Sequence, residues 1–248
     1  MPIRRAIVAL LLAWPGAQAA WAAHPLVTED TGTQGVGNAE LEHGVSWIRE
    51  GDTRSFVFQP QLSYGVLPEL DFILQPSWLS SRTVNSPRVT GFGDTALDAK
   101  WRFFGEAPLS AAIRAGLQLP TGQKDLGLPS GKTAAHVLLV ATVDAVPWTL
   151  HVNLGYARNP AAADLRRDVA HVSAAALYAV NSDWILTLDA GADQNPGPAA
   201  SAWLGSMLVG AIYTVRPGFD IDVGYQAGLR RDVSTRQWLL GLTYRWAP

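Results

Sequence analysis

The sequence predicts an all-β protein, a closed antiparallel transmembrane β-barrel of about twelve strands with a cleaved N-terminal signal peptide. Three observations predict this fold. Apolar residues occupy every second position over segments of about ten residues. Short turns and longer polar loops alternate between those segments, and aromatic residues lie near the segment ends.

The N-terminus has the pattern of a secretory signal peptide. Arg4 and Arg5 precede an apolar run that ends at Trp14, and Ala20-Trp21-Ala22 forms an A-x-A cleavage site. A retained membrane anchor is the alternative, but the apolar run has about half of the ~20 residues that a spanning helix needs. We therefore expect cleavage after Ala22. The resulting division is a signal peptide at 1–22, an N-terminal periplasmic segment at 23–37 and an outer-membrane barrel at 38–248.

The composition excludes several other classes of protein. Beyond the signal peptide, no apolar stretch approaches the length of a spanning helix, which excludes a helical membrane protein. The chain has 0 Cys, although small exported domains commonly depend on disulfides. A barrel closed in lipid is stabilised without them, because each backbone group pairs with a neighbouring strand. The net charge of -2 gives no electrostatic reason to expect nucleic acid as a partner.

The strand predicted at 219–226 shows the two-residue alternation most clearly. One face carries Phe219, Ile221, Val223 and Tyr225, and the other carries Asp220, Asp222, Gly224 and Gln226. The same alternation occurs at 41–47, 56–64, 70–78, 95–103, 111–119, 150–156, 184–193 and 238–246. The stretches at 133–144, 168–180 and 202–215 are rich in Ala and Val, and their phase is ambiguous.

The connections between strands alternate in length, as in an outer-membrane barrel. The short turns lie at 66–69, 105–108, 145–147, 181–183 and 216–218. Longer loops are predicted at 79–92, 120–132, 158–167 and 194–201, with shorter ones at 49–53 and 229–234. Both termini then lie on the periplasmic side, which requires an even number of strands. Aromatic residues at both strand ends suit the two lipid–water boundaries. The alternative, a soluble β-sandwich, would not need strands of this length.

If the apolar faces meet lipid, the polar faces line the lumen. The predicted lining residues are Glu40, Glu42, Asp71, Gln75, Asp98, Lys100, Arg102, Arg114, Gln118, His151, Asn153, Asp189, Asp193, Asp220, Asp222, Gln226 and Arg245. Because acids and bases are mixed, strong ion selectivity is not indicated. Topology predicts a network of Arg245 with four acids at the periplasmic end, Glu40, Glu42, Asp220 and Asp222. This network either holds the barrel seam together or contacts a solute.

A barrel of twelve strands supports a narrow conduit, gated by loops or by the N-terminal segment. The stretch at 24–37 is polar and Gly-rich. It is either a plug that enters the lumen from the periplasm or an unstructured leader.

Three stretches resemble one known family. They are 24–35 (HPLVTEDTGTQG) with Glu40-Leu41-Glu42, Gly91-Phe92-Gly93-Asp94 with Lys100-Trp101-Arg102-Phe103, and Leu119-Pro120-Thr121-Gly122. They are similar to the outer-membrane family described as MetA-pathway of phenol degradation, and the resemblance extends from about 24 to 246. It implies an outer-membrane channel or porin-like transporter for small hydrophobic or aromatic solutes. The chain departs from outer-membrane barrels at its end, where Ala247-Pro248 follow the aromatic Trp246.

An enzymatic function is the alternative to transport. His171 and Ser173 share one face of a strand, as a base and a nucleophile would. No neighbouring strand offers an obvious Asn or Asp partner, so we predict that the protein is not an enzyme. We also expect no metal and no cofactor, because no cluster has ligand spacing and no phosphate or dinucleotide motif occurs. An outer-membrane lipid hydrolase and a structural barrel with a closed lumen remain as alternatives. The expected partners are outer-membrane lipid and small hydrophobic solutes.

Overall fold

The computed structural model describes residues 24–123, 132–160, 166–195, 197, 203–229 and 234–246. The predicted signal peptide at 1–22 lies outside the described residues, as do parts of the loops predicted at 120–132, 158–167, 194–201 and 229–234. Among the described residues, no helix has both the length and the apolar character needed to cross a membrane.

The described residues form fourteen β-strands in one sheet. Their bounds are Ala39–Glu50 (β1), Thr53–Leu67 (β2), Leu70–Gln75 (β3), Trp78–Thr83 (β4), Val89–Phe92 (β5), Thr95–Glu106 (β6), Leu109–Leu119 (β7), Ala134–Ala145 (β8), Trp148–Arg158 (β9), Asp168–Ala179 (β10), Trp184–Gln194 (β11), Trp203–Arg216 (β12), Phe219–Gly228 (β13) and Thr235–Trp246 (β14). All of the pairings between them are antiparallel.

Two strands of the barrel are each interrupted once, by a break between β3 and β4 and by a break between β5 and β6. The fourteen described strands therefore form a ring of twelve. Pro76-Ser77 separates β3 from β4, and the facing residues Gly93-Asp94 separate β5 from β6. Proline has no amide hydrogen to donate to a neighbouring strand, so pairing stops there. The break is closed by a hydrogen bond from the Gly93 amide to the Ser77 carbonyl (3.0 Å).

The loop predicted at 79–92 is wrong in extent, because β4 and β5 form a hairpin over most of it. Hydroxyl pairs join β4 to both of its neighbours, Ser81 to Ser55 on β2 (2.9 Å) and Ser80 to Thr90 on β5 (2.9 Å). These pairs replace the apolar contacts of the other strands. The polar composition resembles that of a loop, and for this reason the sequence pattern did not reveal the strands.

The barrel closes between the first and last strands. β1 pairs along its whole length with β14, from Ala39 opposite Trp246 to Glu50 opposite Thr235, and it pairs with β2 on its other side. The ring therefore has no free edge, and the closed antiparallel barrel of twelve strands is confirmed.

The outer surface carries the apolar side chains. Leu154 is 56% exposed and Trp101 is 53% exposed, whereas Arg114 and Asp71 are fully buried inside. Aromatic rings pair across neighbouring strands near both rims, as in Trp148 with Tyr178 near one rim and Tyr225 with Trp238 near the other (centroids 4.8 Å apart in each pair). These two belts mark the boundaries of the hydrocarbon layer, as in outer-membrane barrels.

Candidate functional site: the lumen and its N-terminal segment

Residues 24–38, here called the N-terminal segment, lie along the inner wall of the barrel. Near β1 the segment is joined to β2 by hydrogen bonds from the Gly37 amide to the Gly65 carbonyl (2.9 Å) and from the Gly65 amide to the Asn38 carbonyl (3.0 Å). A Cβ atom at Gly65 would overlap the Gly35 carbonyl oxygen, so glycine is required for this approach. The Gln34 amide then donates to the Asp71 carboxylate (3.0 Å) on β3.

The middle of the segment is held by buried charges. The Lys100 ammonium group lies 3.1 Å from one oxygen of Glu29, and the Arg114 guanidinium donates to the other. Arg114 also donates from Nε to Asp98 (2.8 Å), and His136 Nε2 lies 2.9 Å from the same carboxylate. Buried charges are tolerated only when they are paired, so Glu29 from the segment and Asp98 from the wall together compensate Arg114 and Lys100.

Asp30, the next residue, lies 3.6 Å from the Lys100 ammonium group. Burial acts to raise the pKa of the Asp30 carboxyl, but the positive charge of Lys100 and the Gly32 amide outweigh that effect. The pKa therefore lies below its ordinary value, and Asp30 adds a second negative charge to this part of the segment.

Two polar side chains of the wall bind the backbone of the segment. Asn153 on β9 accepts a hydrogen bond from the Glu29 amide (2.7 Å) and donates one to the Glu29 carbonyl (2.9 Å). Asp189 on β11 accepts from the Val27 amide (2.6 Å), the Thr28 amide (2.8 Å) and the Thr28 hydroxyl (2.9 Å). These backbone groups of Val27, Thr28 and Glu29 are thereby satisfied inside the barrel without a partner strand.

The first described residues of the segment pack against the opposite wall. His24 Nδ1 lies 2.5 Å from the Asp222 carboxylate on β13. Pro25 is fully buried, and a Cβ atom at Gly224 would lie 2.9 Å from it. Leu26 packs in an apolar cluster with Ala175, Leu208, Leu239 and Leu177. The segment thus contacts the wall on several sides of the barrel and occupies the lumen between them.

The structure places the predicted lining residues as follows. Buried on the inner face are Glu40, Glu42, Asp71, Gln75, Asp98, Lys100, Arg114, His151, Asn153, Asp189, Asp222 and Gln226; Arg102, Gln118, Asp193 and Asp220 are half-buried, and Arg245 is exposed. Seven of them contact the N-terminal segment, namely Glu40, Asp71, Lys100, Arg114, Asn153, Asp189 and Asp222. Their contact with a solute stays a prediction.

The predicted Arg245 network is wrong for two of its four acids. Arg245 Nε lies 2.5 Å from Glu40, and the same guanidinium donates to Asp220. Glu42 instead accepts a hydrogen bond from Gln61 (3.2 Å), and Asp222 contacts the N-terminal segment. Residues two positions further along a strand face the same side but lie about 6.6 Å deeper, beyond the reach of Arg245.

The expectation that His171 lacks an acidic partner is also wrong. Asp193 on β11 lies directly opposite His171 on β10, and its carboxylate is 2.7 Å from His171 Nδ1. His171 Nε2 lies 3.0 Å from the Ser173 hydroxyl. This Ser-His-Asp arrangement faces the lumen near the long-loop end, and Ser173 is 2% exposed. The sequence pattern missed it because the phase of 168–180 was ambiguous, so the register against β11 was not defined.

The inner wall also carries apolar patches that the sequence pattern missed. Ala112 on β7 packs with Leu138 and Val140 on β8, and all three are fully buried. The phase of β8 and β12 was ambiguous because these strands are apolar on both faces. A polar lining was predicted, whereas the structure shows a lining that mixes charged and apolar surface.

An open cavity of about 430 Å³ lies at the periplasmic turns, beside the segment. Its polar border includes Glu69, Arg102, Ser110 and Asp144. Ser110 also contacts the Thr31 hydroxyl of the segment (2.5 Å). Across the described part of the chain, no group of three or more His, Asp or Glu side chains is placed to hold a metal ion.

Comparisons with known proteins agree with this architecture. A model of the family described as MetA-pathway of phenol degradation matches residues 65–246. An outer-membrane channel from Pseudomonas putida F1 is similar in structure, with a TM-score of 0.69 and 15% identity over 88% of this chain and 98% of that chain. The NanC porin has a TM-score of 0.63 and 11% identity, over 82% of this chain and 100% of that chain. The CymD monoaromatic hydrocarbon channel has a TM-score of 0.53 and 12% identity, over 94% and 93%. No curated protein matches the sequence.

Proposed function

The chain belongs to the family described as MetA-pathway of phenol degradation, and from this premise we propose that it is an outer-membrane channel for small hydrophobic or aromatic solutes. The observation that carries the proposal is the inner wall of the closed barrel, where apolar patches lie beside charged groups. Leu138 and Val140, which are fully buried on this wall in the present structure, are the side chains that an apolar solute would contact once the lumen opens. One structural neighbour, the CymD channel, is described as a monoaromatic hydrocarbon channel.

We infer that the N-terminal segment closes the conduit, because it contacts the wall on several sides, and that passage requires the segment to move. The segment is joined to the barrel at β1 on the periplasmic side, so it can leave the lumen without unfolding a strand. Hydrogen bonds and ion pairs hold most of its length, and water can replace such contacts once the segment begins to leave. We infer that the segment is the gate of the channel.

The test uses a disulfide to fix the gate. The chain has 0 Cys, so Leu26→Cys with Ala175→Cys introduces a unique pair at an apolar contact between segment and wall. Uptake of radiolabelled toluene or phenol is measured in cells that lack the protein, in cells that contain it, and in cells with the oxidised or reduced pair. Faster uptake with the protein, lost on oxidation and restored by a reductant, is the expected result.

Each single-cysteine variant is the matched control, because it cannot form the bond and should transport under both conditions. Equal uptake with and without the protein would contradict the channel proposal and favour a structural barrel with a closed lumen. Transport by the oxidised pair that equals transport by the reduced pair would contradict the gate while leaving the channel intact.

A hydrolase is the second candidate, because His171 links Ser173 and Asp193 in the order that nucleophilic catalysis requires. We propose that the protein is not an enzyme, since the Ser173 hydroxyl is enclosed on the lumen side and lipid contacts the opposite face. Labelling with a fluorophosphonate probe tests this proposal. We expect the purified protein and Ser173→Ala to give the same labelling and the same lipid turnover. Labelling that Ser173→Ala abolishes would favour the hydrolase.

A further inference from the structure

Four arginines, here called the arginine row, lie side by side across four neighbouring strands. Arg49 on β1 is directly opposite Arg236 on β14 and directly opposite Arg54 on β2. Arg54 is in turn directly opposite Arg82 on β4. The strand register therefore places the four arginines side by side, although they come from distant parts of the sequence.

The arginine row lies on the outer surface, at the rim that carries the long loops. Arg49 follows the outward Trp47 by two residues, Arg54 precedes the outward Phe56 by two, and Arg236 precedes the outward Trp238 by two. Residues two apart on a strand share a face. The Trp47 and Phe56 rings are 5.6 Å apart and belong to the aromatic belt of this rim. The row therefore lies about 6.6 Å beyond that belt, at the depth of the lipid headgroups.

Within the described part of the chain, no carboxylate pairs with the arginine row. All four side chains are exposed, and none of them makes an ion pair or hydrogen bond within the described part of the chain. Like charges that lie directly opposite on neighbouring strands destabilise a sheet. Arg158 faces outward at the same rim but has a carboxylate near it, since its Nη1 lies 3.8 Å from Asp168. The row thus differs from Arg158, because the described residues give it no anionic partner and an anion from outside the chain can take that place.

A cavity within the row gives room for such a partner. It has a volume of about 220 Å³ and is lined by Arg49, Gly51, Ser234 and Arg236. Guanidinium groups bind phosphate oxygens in pairs, and this geometry makes arginine the usual residue for phosphate recognition. Next to the row, Arg88 donates to the Ser80 hydroxyl (3.1 Å) and extends the positive surface past β4.

We propose that the arginine row is a binding site for the phosphorylated headgroup of an outer-leaflet glycolipid. Four neighbouring strands span about 14 Å, because adjacent strands lie about 4.8 Å apart. A single phospholipid phosphate covers only part of that width, whereas a disaccharide headgroup with a phosphate at each end covers most of it. The ligand is a lipid and not a transported solute, because the site faces the membrane and lies outside the lumen.

The test compares purified barrels in detergent with EDTA, which keeps divalent cations from occupying the phosphates. Binding of bisphosphorylated lipid A is measured by native mass spectrometry for the unmodified protein, for R49Q/R54Q and for R158Q. We expect R49Q/R54Q to bind about tenfold or more weakly, since two charge-assisted contacts are lost. R158Q, the matched control from the same rim, should stay within about twofold, because its charge is shared with Asp168. Heat-modifiable mobility on a gel verifies that each barrel is folded.

A second pair, R82Q/R236Q, tests the same site from its two ends and replaces the first pair if that variant does not fold. Lipid A stripped of both phosphates should bind the unmodified protein as weakly as intact lipid A binds R49Q/R54Q. Equal binding of intact and stripped lipid A would overturn the proposal, as would equal affinity of R49Q/R54Q and the unmodified protein. Equal binding of phosphatidylglycerol and lipid A would overturn the assignment to a glycolipid.

Discussion

Arg114 shows how single residues hold the N-terminal segment against the barrel wall. Its side chain is fully buried, and its guanidinium contacts Glu29, Asp98 and Gln61. Asp98 belongs to the wall and stays in place, whereas Glu29 belongs to the N-terminal segment. Departure of the segment therefore separates Arg114 from Glu29, and separates Lys100 from both Glu29 and Asp30. The lost ion pairs oppose opening, and water that enters the lumen must offset them.

Removal of the Glu29 charge should loosen the segment. In Glu29→Gln, Arg114 loses its anion on the segment and Lys100 keeps only Asp30, and breaking a buried ion pair costs about 3–5 kcal/mol. We expect a cysteine placed at Ala175, beneath Leu26, to react with a maleimide about tenfold or more faster in this variant. Glu69→Gln, at an exposed periplasmic turn, is the control and should leave the rate unchanged. Equal rates in the two variants would show that charge does not hold the segment.

The position of the N-terminal segment in the lumen depends on close packing as well as on charge. Pro25 lies against β12 and β13, where Gly210 and Gly224 present no side chains to it. Strand phase alone places Gly224 on the inward face. Its role in admitting Pro25 could not be predicted, because the path of the segment has no periodic pattern.

A methyl group at Gly224 should displace the segment without altering any charge. Its Cβ would lie 2.9 Å from the Pro25 Cβ, closer than side chains normally approach, and 3.5 Å from Leu239. We therefore expect Gly224→Ala to raise maleimide labelling of the cysteine at 175 several-fold, roughly a gain of 1 kcal/mol in opening. Gly228→Ala, on the same strand but away from Pro25, serves as the comparison. Faster labelling in both variants would indicate general loosening of β13 and would contradict this explanation.

For the whole molecule, contact with lipid explains why the apolar face of each strand points outward. Exposing the side chains of Leu150, Val152 and Leu154 on β9 to water would be unfavourable in free energy, whereas contact with lipid is favourable. The polar inner face, occupied by the N-terminal segment, takes the place of a hydrophobic core. Stability therefore comes from backbone pairing around a closed ring and from the lipid boundary.

An arginine on the lipid face should test this arrangement. Leu154 lies near the middle of β9, so Leu154→Arg should lower the free energy of unfolding in bilayers by about 2–4 kcal/mol. Val146→Arg, in the exposed periplasmic turn before β9, should have little effect. Urea titration of the barrel in lipid vesicles measures both values. A Leu154→Arg barrel as stable as the unmodified protein would show that this face does not contact hydrocarbon.

The pattern of residues along the chain was enough to predict the barrel, its strand number, its aromatic belts and the outward direction of most apolar side chains. Those features depend on a two-residue period and on turn spacing, which are local properties of the chain. The alternation failed where both faces are apolar, as in β8 and β12, and where strands are polar, as in β4.

The contacts between residues from distant strands could be seen only in the folded barrel. Register brought Asp193 to His171 and aligned Arg236 with Arg49, and the path of the N-terminal segment brought Glu29 to Arg114. Strand register and the course of an irregular segment are fixed by closure of the whole ring. A periodic pattern within one strand contains no information about the strand beside it.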